Sequence, residues 1–325
     1  MNTQPAGHAK RLAPDLWVID TLFQGERGII ASYLLTGPHG LALVDVGSAA
    51  SLNELLAGIQ VTGHDPREIQ HIVLTHVHLD HAGATGALLA HTPNARVYVH
   101  HIGAPHLINP DKLLASATRI YGDQMERLWG AILPVPAERV TPIDDGAELA
   151  VGERVLRALY TPGHAIHHVA LHDSANNVIF SGDVGGVRLE DISYVRPPTP
   201  PPDLNLEDWS TSIERLRALR PKTLYLPHFG AVEGNLDAHF DALRTRLYAW
   251  GELMLRGIRA GKSDSELAAD LAAASDPDVA SAASALEGGD QANAVKRYEL
   301  ATNYLMSAQG YVRYYRKTRP DLLNG

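Results

Sequence analysis

The first 235 residues alternate short apolar runs with amphipathic stretches. ASYLLTG (31–37) and LALVDVG (41–47), joined by Pro38-His39-Gly40, predict a β-hairpin. SLNELLAGI (51–59) has helical spacing. HIVLTH (71–76) and RVYVH (96–100) read as buried strands, and ERVLRALYT (153–161), VALHD (169–173) and VIFSGD (178–183) as three more. WSTSIERLRAL (209–219) reads as an amphipathic helix, followed by the strand TLYLPH (223–228). Strands interleaved with helices predict a mixed α/β sandwich.

Beyond residue 235 the pattern becomes helical. Leu236, Phe240, Leu243, Leu247, Trp250 and Met254 form one apolar stripe. Ser263-Asp264-Ser265-Glu266 fits a capping box. A last helix is expected over 290–317, carrying Tyr298, Tyr304, Tyr311, Tyr314 and Tyr315. The chain is therefore expected to divide into an α/β domain, 1–235, and a helical C-terminal region, 236–325. Two stretches read as insertions that cover a cleft: residues 103–133, helical in composition, and residues 193–205, with five prolines between Pro197 and Pro202.

Composition narrows the chemistry. Apolar residues make up 45% of the 325, enough for a large core, so disorder is excluded as a global description. With 28 Lys+Arg against 37 Asp+Glu the formal charge is −9, which argues against a general nucleic-acid binder. Arg313, Arg316, Lys317 and Arg319 cluster near the C-terminus, where a solvated helix end explains them better than an RNA contact. The absence of cysteine excludes disulfides, thiolate zinc sites and thiol nucleophiles. No apolar run is long enough to span a bilayer, and the first 20 residues lack a signal-peptide pattern, so a cytoplasmic location without membrane association is expected. GxGxxG, GxxxxGK[ST] and GxSxG are absent.

The 17 histidines are the anomaly. Thr75-His76-Val77-His78-Leu79-Asp80-His81 sets four ligand-type side chains within six residues, directly after a buried strand. His76 and His78, two apart on an extended chain, share one side. Asp80 and His81 follow where the chain turns into a helix and can face a second point. Such a cluster suits two metals a few ångströms apart. His164, Asp183 and His228 each end a strand-like run downstream, and Asp45 ends another upstream.

In these motifs the chain resembles the metallo-β-lactamase fold superfamily, whose signature is HxHxDH followed by a distant His, Asp and His. The resemblance covers about residues 15–235 and implies an αββα sandwich with the metals at one edge of paired sheets. It implies that His76, His78 and His164 hold one ion, that Asp80, His81 and His228 hold a second, and that Asp183 bridges them. It further implies that Asp45, Thr75 and His168 orient these ligands. All seven ligand positions carry the expected residue types, which implies two divalent ions, most simply Zn2+, with Mn2+ or Fe2+ also compatible with nitrogen and oxygen donors.

The expected chemistry is hydrolysis. Two cations sharing a water lower its pKa to about 7 and polarise a substrate oxygen. Asp80 is the candidate proton shuttle. Tyr194 is a candidate oxyanion donor, as a tyrosine is in acyl-homoserine lactonases of this superfamily, although an ordinary loop role accounts for it slightly better. His100, His101, His106 and His167 are better explained structurally than as ligands of this site. The leading function is cleavage of a small ester, thioester or lactone, in the manner of glyoxalase II or a lactonase. The alternatives are an RNA- or phosphodiester-cleaving nuclease of the same fold and an iron-dependent sulfur dioxygenase. The partner expected is a small-molecule substrate, with nucleic acid disfavoured and a homodimer through the helical tail allowed.

Overall fold

The computed structural model describes residues 8–190, 192–284 and 290–324. They fall into two compact units: one runs to Tyr160 and includes Val169–Phe180, and the other comprises Thr161–His168 and the chain from Ser181 onward.

The first unit opens with an antiparallel meander of β1 (Ala9–Ala13), β2 (Leu16–Asp20), β3 (Ala31–Leu35) and β4 (Leu41–Val44). The predicted hairpin is β3–β4. The sheet then turns parallel through β5 (Ile69–Val73), β6 (Arg96–His100) and β7 (Val140–Ile143), giving seven strands in chain order. Parallel neighbours need long crossovers, and helices supply them. They are α1 (Leu52–Val61), then α2 (Leu79–Ala82) with α3 (Thr85–Leu88), then α4 (Ala104–Ile108), α5 (Asp111–Tyr121) and α6 (Met125–Trp129). The last three are the helical insertion read from 103–133. A second set of strands, β8 (Glu148–Val151), β9 (Arg154–Tyr160), β10 (Val169–Asp173) and β11 (Val178–Phe180), pairs antiparallel in sequence order. Ile19, Leu34, Leu43, Leu55, Ile59, Ile72, Leu74, Val97 and Val99 are fully buried in one cluster. Each such side chain contributes about 1.5–3 kcal/mol.

The second unit holds α7 (Leu206–Ala218), the hairpin β12 (Thr223–Leu226) with β13 (Gly230–Glu233), and four further helices. These are α8 (Leu236–Arg259), α9 (Asp264–Ser284), α10 (Gln291–Ala301) and α11 (Tyr304–Lys317). The apolar stripe of α8 is buried as its spacing predicts. Ser263 and Glu266 form the reciprocal capping hydrogen bonds that open α9. The single helix expected over 290–317 is instead two. Thr302 is extended, and Asn303 caps α11 by accepting from the Met306 N–H. The break frees the Thr302 carbonyl to accept from the guanidinium of Arg196, which is fully buried. Among the described residues no helix is long and apolar enough to cross a membrane.

Four strands stop short of their sequence-predicted ends, always two or more residues before a candidate ligand. The strand expected to reach His76 ends at Val73, and that expected to reach Asp183 ends at Phe180. The strand expected to reach His228 ends at Leu226, and β9 ends at Tyr160 before His164. Past β5 the ladder gives way to a side-chain partner: the Thr75 N–H donates to Asp45 Oδ1 at 2.8 Å and not to a neighbouring strand.

Candidate metal centre

In the first unit, β4 and β5 run parallel with Val44 beside Val73, so the residues just past their ends become neighbours. Asp45 adopts a left-handed backbone (φ 53°), which Asp tolerates better than most residues. Its buried carboxylate accepts three hydrogen bonds: from the Thr75 N–H on Oδ1, and from Thr75 Oγ1 (2.8 Å) and His81 Nδ1 (3.0 Å) on Oδ2. The threonine proton is thereby committed, so Thr75 Oγ1 accepts from His76 Nδ1 at 3.0 Å. This fixes both tautomers. His76 and His81 each present Nε2 as a lone-pair nitrogen, the form a metal requires.

His76 Nε2 lies 3.0 Å from His78 Nδ1, and His81 Nε2 lies 3.5 Å from Asp80 Oδ2. Two ligands of a tetrahedral zinc, each at about 2.0–2.1 Å, stand roughly 3.3 Å apart. Both pairs fit that spacing. His76 and His81 are fully buried, with ring centroids 4.0 Å apart. The Tyr121 phenol, at the end of α5, is raised well above its ordinary pKa by burial and by the charge of Asp80. It is a neutral donor near this cluster that the sequence pattern did not single out.

In the second unit the same tautomer logic recurs. His164 Nδ1 donates to the Pro198 carbonyl at 2.8 Å, leaving Nε2 as the lone-pair nitrogen. That Nε2 is 3.3 Å from Asp183 Oδ2, while His228 Nε2 is 3.6 Å from Asp183 Oδ1. One carboxylate thus faces two imidazoles, one with each oxygen. All three residues are buried. The donor chemistry fits divalent cations, since the Asp183 carboxylate opposed to the lone-pair Nε2 of His164 is repulsive without positive charge between them.

The supports of this half are specific. His168 donates from Nδ1 to Thr161 Oγ1 (2.9 Å) and accepts the Val184 N–H on Nε2 (3.5 Å), holding the turn that carries Asp183. His239 Nε2 donates to the Gly185 carbonyl at 2.8 Å, and burial pushes its pKa down to about 4, so it stays neutral. The loop Thr161-Pro162-Gly163-His164 lies against α7. Trp209 packs edge-on to His164 and donates to the Val184 carbonyl, while Ser212 donates to the Pro162 carbonyl. Gly163 sits at φ +129°, and a Cβ there would collide with the Trp209 backbone. His228 is pinned by the Arg188 N–H donating to its carbonyl. Pro198, Trp209 and His239 were not legible as site residues, because they act through carbonyls, an indole and a distant helix.

Tyr194 lies in the second unit with its ring under the Arg246 guanidinium at 4.0 Å. Its hydroxyl is buried and makes no hydrogen bond. His106 lines an apolar recess in the first unit with Val77, Leu79, Leu107, Leu113 and Ile132.

The family profile described as the metallo-beta-lactamase superfamily matches residues 25–228. The chain is 28% identical over 207 residues to the metallo-beta-lactamase fold-containing protein ST1585 of Sulfurisphaera tokodaii, covering 63% of this chain and 74% of that one. It is 29% identical over 249 residues to the acyl-coenzyme A thioesterase MBLAC2 of Gallus gallus, covering 71% and 80%. Its fold is that of the metallo-beta-lactamase family protein TTHA1429 from Thermus thermophilus, with a TM-score of 0.68 at 23% identity over 94% and 95% of the two chains. A profile spanning well over half the sequence, on a fold of two mixed sheets with a helical C-terminal region, shows that the chain belongs to the metallo-beta-lactamase superfamily, a family of hydrolases.

Proposed function

We propose that the chain is a metal-dependent thioesterase, in which His76, His78 and His164 would hold one divalent ion, Asp80, His81 and His228 would hold a second, and Asp183 would serve both. The observation that carries this reading is the Asp183 carboxylate, whose two oxygens face two different imidazole nitrogens. Zinc suits the all-nitrogen-and-oxygen donor set. Bound divalent ions would supply Lewis acidity and lower the pKa of water toward neutrality.

The protein's own residues do the rest. Asp45 and Thr75 hold His76 and His81 in one tautomer, and Pro198 does so for His164. Asp80, only partly buried beside His81, is positioned to take up and release a proton. Likeness to an acyl-coenzyme A thioesterase over most of both chains favours a thioester over a lactone or simple ester.

The test is hydrolysis of a panel of acyl thioesters, lactones, β-lactams and phosphodiesters by the full chain before and after chelation. Thiol release from a thioester, lost on chelation, restored by zinc and lowered at least about 100-fold by Asp183→Asn, is the expected result. Full thioester cleavage by metal-free protein, or turnover of phosphodiesters alone, would overturn it.

A further inference from the structure

We propose that His100, His101 and Asp144 form an accessory binding site for a divalent transition metal of the zinc class. Each offers one donor atom, and the three lie within 4.8 Å of one another. All three belong to the first unit, and none of them serves in the centre described above. The inference does not rest on the thioesterase reading.

The site is built at the shared end of β6 and β7. His100 pairs with Ile143 across the ladder, and the His101 N–H donates to the Ile143 carbonyl at 3.0 Å. Asp144 follows at once, in a turn closed by the Ala147 N–H on the Asp144 carbonyl and by the Gly146 N–H on the Ala158 carbonyl. The Tyr160 N–H donates to Asp145 Oδ1 at 2.8 Å, fastening the same turn to β9. Backbone hydrogen bonds therefore fix both pieces of chain before any ion arrives, which is the preorganisation a metal site needs.

The second observation is an orphaned atom. His100 is 3% exposed, and its Nδ1 is buried without a hydrogen-bond partner. An unmet buried imidazole nitrogen is unfavourable, and a metal ion is one of few partners that satisfies it. The ring stacks flat on Tyr160, with centroids 4.7 Å apart and planes 7° apart, which restrains its rotation toward another partner. The rings of His100 and His101 lie 4.4 Å apart, and His101 Nδ1 already contacts Asp144. Burial lowers the pKa of His100, which keeps it neutral as a ligand must be. Two imidazoles and a carboxylate, with His101 and Asp144 open to solvent for a water ligand, match zinc. They also match Cu2+ or Ni2+, and they disfavour calcium and magnesium, which take oxygen ligands.

The exposed members supply the test, because replacing them leaves the core untouched. Zinc is titrated calorimetrically into the metal-free full chain and into His101→Ala, Asp144→Asn and the double variant. The wild type is expected to bind one ion more per chain than the double variant, with each single variant weakening that ion at least tenfold. Calcium gives no corresponding difference. A His78→Ala variant keeps the ion, which separates this site from the proposed catalytic pair. Equal stoichiometry and affinity in the wild type and the double variant would overturn the proposal.

Discussion

The Pro198 carbonyl accepts the Nδ1–H of His164 at 2.8 Å, so a proline-rich loop 34 residues downstream sets the tautomer of a candidate ligand. The same loop rests on α11, where a Cβ on Gly310 would strike the carbonyl oxygen of Thr199, the residue after Pro198. The helical region and the candidate ligand His164 are therefore linked through one stretch of backbone within the second unit.

Gly310→Ala tests that link. In an ordinary helix interior this change stabilises by about 0.5–1 kcal/mol. Here the sign reverses, and crowding against the Thr199 backbone costs about 1–3 kcal/mol. Urea unfolding measures the loss, and metal titration of the folded variant shows weaker binding as the Pro198 carbonyl is displaced from His164.

Glu299 gives the chain a pH-dependent stability. Burial pushes its carboxyl up from 4.5 to about 7, against the opposing Tyr304 N–H and Arg196 charge, with Asp276 adding to the rise. The folded state therefore holds this proton where the unfolded chain has released it. The associated stability is complete below pH 4.5 and is lost as the pH climbs to about 7. Glu299→Gln removes the titration. Relative to that variant, the wild type loses stability between pH 4.5 and 7. The side chain is 38% exposed, so screening holds the effect to about 1 kcal/mol. Thermal melts of both proteins across this range check it, and parallel curves would refute it.

Tyr194→Phe separates the two roles that the sequence allows for this phenol. Its hydroxyl is buried without a partner, so its removal is expected to stabilise the fold by about 1 kcal/mol and to leave kcat unchanged. A drop of tenfold or more in kcat, with the melting point unmoved, would restore the oxyanion role.

The ligand-type residues were legible because chemistry marks them: histidines and aspartates crowding strand ends are rare in a core. Their supports carry no such mark. Pro198 contributes a carbonyl, which every residue has, and Trp209 reads as a helix core residue. Strands β3 to β6 and β9 to β12 follow apolar runs read from the sequence, whereas β1, β2 and β8 lie outside that reading, and β7, with Pro142 in it, and the four-residue β13 offered little pattern. The break between α10 and α11 is illegible in the local sequence for a different reason. It answers a demand from Arg196, more than a hundred residues earlier in the chain, and no local window contains both.

Arg196 itself bears on any attempt to trim the chain. Its guanidinium is wholly enclosed, lying over the rings of Trp250, Tyr298 and Tyr304 and touching the Tyr304 hydroxyl. Every one of those partners comes from α8, α10 or α11. A protein cut after residue 235 would leave a naked cation at the root of the loop that steadies His164. The tail is thus a keystone of the unit that carries three candidate ligands, and excising it should yield aggregation in place of a smaller enzyme.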